Sequence, residues 1–369
     1  MNNNNIDNLI KNISQHGKVY FYGSTAVFNY FNKTIKVYRI LTDVNIAKIA
    51  QFLKNPIFTN KLYFSCYSWL DEETIVTFFI DEEYEKDDYK YIKNVNLKHN
   101  EKYFISFCYS PVKRKYFTLL EKSLNDLKKN IINIKDLKKI CLEDLLDIAL
   151  ITGMSKLQIK ENNKQAYRYN IKNFIWYSEF DLKTFLPFIE LVLTCKYPYQ
   201  ALIFLDKIGL LRFIFPFLND LVGIEQDRIF HPEGDVFNHT IHCFQFIKNP
   251  TLRLSIGLLL HDYGKFLSKN SKNFREHSTL GVKKVRELLM PYGYSDSFIK
   301  DIEFLVEYHM VNSYFFRISN NERIRFFNNE LGIDLLKLFR ADTLGSIGKL
   351  DKYHEIIAML NKKIKSKLY

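Results

Sequence analysis

Cysteine is sparse in this chain, with five residues in 369, at positions 66, 108, 141, 195 and 243, and no CxxC pair among them. An odd, scattered set argues against a disulfide framework and fits thiols in a reducing compartment. Long apolar runs are also missing. No stretch approaches the roughly 18–20 residues that a membrane-spanning helix needs. The opening MNNNNIDNLIKNISQHG has no apolar signal core, so secretion is not expected. The expectation is a soluble, cytoplasmic protein that uses no membrane. Acidic residues are outnumbered, 41 against 53 Lys plus Arg, which leaves a net charge of +12. That balance favours polyanionic partners, RNA or nucleotides among them.

Hydrophobic residues make up 47% of the chain, enough over this length for two or three cores. No internal repeat, low-complexity linker or coiled coil is visible. Lys18–Tyr22 and Lys36–Leu41 read as strands, as do Leu62–Trp69, Thr74–Ile80 and Tyr103–Tyr109. Ala26–Phe31 and Val44–Leu53 read as helices. The acidic stretch Asp81–Asp88 reads as a solvated loop. From Leu119 the pattern is helical almost to the end. Between Lys113 and Lys139, nine basic residues face three acidic ones, a helix surface that is either solvated or set against an RNA backbone. The expected fold class is α+β. A mixed head spans 1–118, a helical neck or body 119–217 and an all-α domain 218–369.

The chemistry lies in that last segment. His239 follows the turn His231-Pro232-Glu233-Gly234-Asp235, with helical pattern from Val236. Leu252–Leu260 is an apolar helix-like run that ends in His261-Asp262-Tyr263-Gly264-Lys265. Gly264 is expected to let the chain leave the helix. His277 follows a basic stretch containing Lys269, Lys272 and Arg275. His309 closes an amphipathic helix over Asp301–Met310, and Asp342 shares a helical segment with Arg340. Imidazole and carboxylate donors together suit first-row divalent metals. His239, His261, Asp262, His277, His309 and Asp342 are therefore the candidate metal ligands, with manganese, nickel, iron, cobalt and magnesium all open as the ion. Lys265 stands one turn from them and is placed to hold a substrate phosphate as a point charge. His231 and His242 read as structural, in a turn and in packing.

His261-Asp262, with His239 upstream and His277, His309 and Asp342 downstream, resembles the HD-domain metal phosphohydrolase superfamily. The resemblance implies one ion on His239, His261, Asp262 and Asp342. It implies a second on His277 and His309, with Asp262 bridging and central to catalysis. The implied reaction is metal-assisted hydrolysis of a phosphoester. Pro198–Thr240, and HPEGDVFNHT within it, is similar to the bacterial tRNA nucleotidyltransferase and poly(A) polymerase family, some of whose members end in an HD domain. That resemblance extends in element order over nearly the whole chain.

The head departs from the family pattern. VYFYGSTAVF keeps the strand and the Gly23-Ser24 turn, but the positions of the family's D-x-D carboxylates hold Val37 and Arg39. Asp43 lies four residues beyond. The basic segment of the family appears as Asn100–Pro111 without its arginines. Asp147 stands where the family has a nucleotide-reading arginine. These read as three independent losses and imply a catalytically inactive head with no nucleotide site. The expected function is a metal-dependent phosphohydrolase acting on a nucleotide, a cyclic nucleotide or an RNA 3′-end phosphoester, tRNA included. Family analogy points to 2′,3′-cyclic phosphodiesterase, 2′-nucleotidase or phosphatase activity. Two alternatives stay open: an active CCA-adding nucleotidyltransferase or poly(A) polymerase, and a non-enzymatic RNA- or nucleotide-binding protein with a structural metal.

Overall fold

The computed structural model describes residues 3–32, 35, 37–58, 66–71, 74–82, 87–88, 90–92, 107–118, 125, 128–129, 131–134, 142–155, 158–161, 182–268, 276–311, 315–327, 329–346 and 348–360. The chain divides into two compact units, Met1–Phe180 and Asp181–Tyr369.

The first unit is built on a seven-stranded sheet of β1 (Val19–Tyr22), β2 (Val37–Thr42), β3 (Ile57–Phe58), β4 (Cys66–Trp69), β5 (Ile75–Ile80), β6 (Phe107–Ser110) and β7 (Lys115–Thr118). Their order is β3-β4-β5-β2-β1-β6-β7. The β2–β5 pair is parallel, and every other neighbouring pair is antiparallel. Side chains alternate between faces along a strand, and both faces of the central strands are covered here. Val19, Phe21, Ile40, Val76 and Phe78 pack with Ile6, Leu9, Ile10 and Ile13 of α1 (Asn3–Ser14). Tyr20, Tyr22, Leu41 and Phe79 pack on the other side with Tyr91, Ile92 and Cys108. Double coverage explains why β1 reads as an unbroken apolar run.

The strands expected at 18–22, 36–41 and 74–80 are present within a residue or two. Residues 62–65 and 103–106 lie outside the described set. The helix expected at 44–53 is short, α3 (Ile46–Ala50), capped by the Asn45 side chain, which accepts from Ala47 N. The solvated-loop reading of Asp81–Asp88 fails at both ends, where Asp81 and Asp88 are buried. Asp88 is ion-paired with Lys113, and its Oδ1 lies 3.6 Å from Lys18 Nζ. The helical pattern after residue 119 is interrupted by a parallel ladder of β8 (Ile131–Ile134) and β9 (Gln158–Glu161). Three isoleucines in four residues favour the pleated surface over the helix there. Between these strands runs α4 (Leu142–Ser155).

The second unit is helical: α5 (Leu182–Leu193), α6 (Pro198–Lys207), α7 (Leu210–Ile214), α8 (Val236–Cys243), α9 (Leu252–Leu260), α10 (Tyr263–Leu267), α11 (His277–Leu289), α12 (Asp296–Tyr308), α13 (Asn320–Phe327), α14 (Glu330–Gly345) and α15 (Asp351–Met359). Pro198 sits in the first turn of α6, where a missing N–H costs nothing. Asp235, Thr251, Ser295 and Asn329 cap α8, α9, α12 and α14 by accepting from the backbone N–H three residues on. Among the described residues no helix is long and apolar enough to cross a membrane.

Candidate metal centre

Six helix segments of the second unit bring the predicted residues to one place. His239 lies inside α8. His261 is the residue after α9, and Asp262 sits in the break before α10, at φ −101° and ψ 9°. His277 is the first residue of α11, His309 follows α12, and Asp342 lies near the end of α14. The four histidines and Asp262 are all 6% exposed or less, so their polar atoms must satisfy one another or a ligand. The Asp342 side chain, 26% exposed, forms the open edge.

Hydrogen bonds orient the rings. His261 Nδ1 donates to the Leu258 carbonyl at 2.7 Å, and His309 Nδ1 to the Val306 carbonyl at 2.7 Å. A carbonyl only accepts, so these bonds put the proton on Nδ1 and leave Nε2 bare. His239 Nδ1 lies 2.7 Å from Glu233 Oε1, which also takes His231 Nδ1 at 2.9 Å. In this way His239, His261 and His309 each turn Nε2 inward, the arrangement metal-binding histidines use. His261 Nε2 is buried and has no hydrogen-bond partner.

Asp262 divides its two oxygens. Oδ2 lies 3.3 Å from His261 Nε2 and 3.8 Å from His239 Nε2. Oδ1 lies 3.3 Å from His277 Nε2 and 3.8 Å from His309 Nε2. The two distal imidazoles face each other, Nε2 to Nε2, at 3.0 Å. Asp342 Oδ1 is 3.0 Å from His239 Nε2 and 3.8 Å from His261 Nε2. Among the described residues three donor groups result, on His239, Cys243, His261 and Asp342, on Asp262, His277 and His309, and on His231, Glu233 and His239, each with its donor atoms within 4.8 Å of one another.

Electrostatics follow this geometry. Burial opposes a charge on Asp262, but Lys265, His261 and His277 hold its carboxyl well below the usual range. Burial, then His277 and His261, push His309 down to about 4, so it is neutral and free to ligate. Burial also opposes a charge on His239, yet Cys243, Asp342 and Glu233 hold its imidazole well above the ordinary value. A field that favours a proton there favours a divalent cation too. Burial likewise opposes charge on Glu233, but bonds from His239 and His231 bring it down to about 2. The donor set fits a first-row divalent ion.

Lys265 Nζ lies 2.7 Å from Asp262 Oδ2 and donates to Gln226 Oε1 at 2.6 Å, so its charge is paired against the buried carboxylate of the group. Lys269, Lys272 and Arg275 lie outside the described residues. Arg340 donates to the Phe246 carbonyl at 3.0 Å, a structural bond. His242 bonds the Gly345 carbonyl and packs edge-on against Phe246, as its structural reading expects. His231 is more than a turn residue, since it shares Glu233 with His239.

Two residues escaped the sequence reading. Glu233 was legible only as part of a turn. Cys243 was legible as the residue one helical turn after His239, a spacing that puts both side chains on one face. Gly264 was read for the wrong reason: it does not release the helix. A methyl group there would overlap the backbone carbonyl of His277, so this glycine lets α10 and α11 touch.

Residues 236–338 match the HD domain family. A 115-residue segment is 36% identical to the multifunctional CCA protein of Actinobacillus pleuropneumoniae, both in serotype 5b (strain L20) and in serotype 7 (strain AP76). That match covers 28% of this chain and 28% of each relative, so the matched part is under a third of the relatives' length. The fold aligns with the Bacillus stearothermophilus CCA-adding enzyme in complex with CTP at a TM-score of 0.54 and 12% identity, over 99% of this chain and 84% of that one. It aligns with a tRNA-processing enzyme complex at 0.51 and 12%, over 96% and 90%. The chain thus carries a C-terminal HD domain within the fold of the CCA-adding enzymes. Both resemblances drawn from its motifs hold.

Proposed function

We propose that this protein is a metal-dependent phosphohydrolase whose HD domain cleaves a phosphoester of a nucleotide, a cyclic nucleotide or an RNA 3′ end. The observation that carries this reading is the divided carboxylate of Asp262, with one oxygen toward His239 and His261 and the other toward His277 and His309. His239, His261, Asp262 and Asp342 would hold one ion, and Asp262, His277 and His309 a second. Such an ion supplies Lewis acidity toward a phosphoryl oxygen and acidifies water. Leu258, Val306 and Glu233 fix the imidazoles in the ligating orientation. Lys265 neutralises a substrate phosphate at the edge of the group. RNA or nucleotide as substrate accords with the net charge of +12 and with the two structural relatives, a CCA-adding enzyme in complex with CTP and a tRNA-processing enzyme complex.

We read the head as inactive in nucleotidyl transfer. Arg39 stands where the fold family places a metal-holding carboxylate, and it is locked by two buried ion pairs, to Asp144 at 2.9 Å and Asp147 at 2.7 Å. We keep head 1–118, neck or body 119–217 and HD domain 218–369 as a proposed functional division, in which the boundary between the two compact units, after Phe180, falls inside the neck or body. The four described cysteines are buried and form no disulfide, in keeping with a cytoplasmic protein. An active nucleotidyltransferase is the second reading, favoured by the fold shared with the CCA-adding enzyme.

The test is hydrolysis of 2′,3′-cyclic AMP and a generic phosphodiester over a panel of divalent metals, with wild type beside H261A/D262A. Metal-dependent turnover that vanishes in the double variant is expected. Equal turnover in both would overturn the site. Extension of an RNA 3′ end by wild type with ATP or CTP would overturn the inactive head.

A further inference from the structure

We propose that Cys243 is a thiolate ligand of the ion held by His239, His261 and Asp342. This half of the centre then takes a thiophilic divalent ion such as iron, cobalt, nickel or zinc in preference to magnesium or manganese. The inference rests on the metal-binding reading of the HD domain and adds a donor that the His-Asp ligand set does not contain.

Cys243 closes α8 one turn after His239, so its side chain falls on the same helix face. The residue is fully buried, and its Sγ lies 3.6 Å from His239 Nε2. A buried cysteine is ordinarily a small apolar filler. This sulfur instead lies in a group whose four donor atoms are all within 4.8 Å of one another. With metal–sulfur and metal–nitrogen bonds of about 2.3 and 2.05 Å, an angle of about 110° between them puts S and N about 3.6 Å apart. An independent sign of a ligand is His261 Nε2, buried and without a hydrogen-bond partner in that same group. Room for the sulfur is made by Gly345 of α14. A Cβ there would lie 2.5 Å from Cys243 Sγ and 3.3 Å from His239 Cε1.

Softness then selects the ion. Thiolate donors favour iron, cobalt, nickel and zinc, whereas magnesium and manganese prefer all-oxygen sets. On binding, the S–H bond breaks, the proton leaves to solvent and the sulfur lone pair forms the bond to the metal, with no oxidation or reduction.

The experiment is titration of the chelator-stripped full chain with Co(II), following the near-ultraviolet thiolate-to-cobalt band and the visible bands, for wild type, C243S and H261A. Wild type is expected to show one thiolate band per chain, and C243S to lose it. In C243S, Co(II) affinity should fall about 10-fold or more while Mn(II) affinity changes little. H261A should weaken both ions. Wild type with visible cobalt bands but no thiolate band overturns the Cys243 assignment and leaves the metal site standing. A thiolate band that persists in C243S overturns it as well. Wild type that binds no cobalt overturns the assignment together with the metal-site reading. The wild-type spectrum decides between these outcomes even if a variant fails to fold.

Discussion

Arg39 Nη1 lies 2.7 Å from Asp147 Oδ2, and both residues are buried. In sequence these are separate departures from the nucleotidyltransferase pattern, an arginine for a carboxylate and a carboxylate for an arginine. In space they form one buried ion pair. Asp144, one turn before Asp147 on α4, takes the other arm of the guanidinium at 2.9 Å. Asp147 Oδ2 also accepts from Ser24 N at 2.7 Å, at the start of α2 (Gly23–Tyr30). A helix N-terminus attracts anions, and here the anion is the chain's own carboxylate. Gly23 sits at φ +59°, and a Cβ on it would lie 2.5 Å from that oxygen. Burial pushes the Asp147 carboxyl up from its ordinary value, against the pull of Arg39 and Ser24.

Removing one partner of a buried pair leaves a charge without compensation. R39A is expected to cost about 3–5 kcal/mol in urea unfolding. R39D, which puts three carboxylates together, is expected to cost more. R39D/D147R should recover part of the loss. A double variant no more stable than R39D would show that the pair is not the unit.

G264A is expected to push α10 from α11 and displace His277. The cost of such overpacking is about 1–3 kcal/mol. Hydrolysis should fall further than stability, because His277 moves with the backbone that it shares with the contact. Thermal unfolding and turnover measured side by side check this. A variant with wild-type turnover would show that the contact yields without moving the site.

E233A removes the acceptor that orients His239. Loss of such a partner typically weakens metal affinity 10–100-fold. Equilibrium dialysis with Co(II) should show a loss of that size with helical content unchanged. Unaltered affinity would mean that His239 is oriented by its helix alone.

Asp88 gives a pH signature. Burial opposes its charge, but Lys113, Tyr20 and Lys18 outweigh it and hold the carboxyl below the usual range. A lowered folded value means that the stabilisation is complete above the unfolded value of about 3.9 and is lost as pH falls through the folded one. The stability difference between wild type and D88N should be about 1 kcal/mol and level from pH 5 to 8. It should shrink below pH 4. A difference that grows toward acid would refute the pairing.

The candidate metal-ligating residues were legible because their chemistry is local. His and Asp are rare enough in apolar helical context that their order along the chain marks them. The boundaries of α9 match the run Leu252–Leu260 because Leu254–Leu260 are all buried and only Arg253 and Ser255 break the apolar pattern. The strands at 19–22 and 37–42 were legible from β-branched and aromatic density. What stayed hidden depends on partners far along the chain. Asp88 looked solvated because Lys18 and Lys113 cannot be placed beside it from spacing. Gly264 looked like a helix stop because its contact is with His277 on another helix.

The amino-acid sequence by itself determined which donors this protein carries, their order and the helices that bear them, since those follow from side-chain type and periodicity. The tertiary structure alone decided which oxygen of Asp262 faces which histidines, that Cys243 and Glu233 lie against His239, and that Arg39 pairs with Asp147. These are distances between segments that in places lie more than a hundred residues apart. Close packing sets such distances, and no local pattern encodes them.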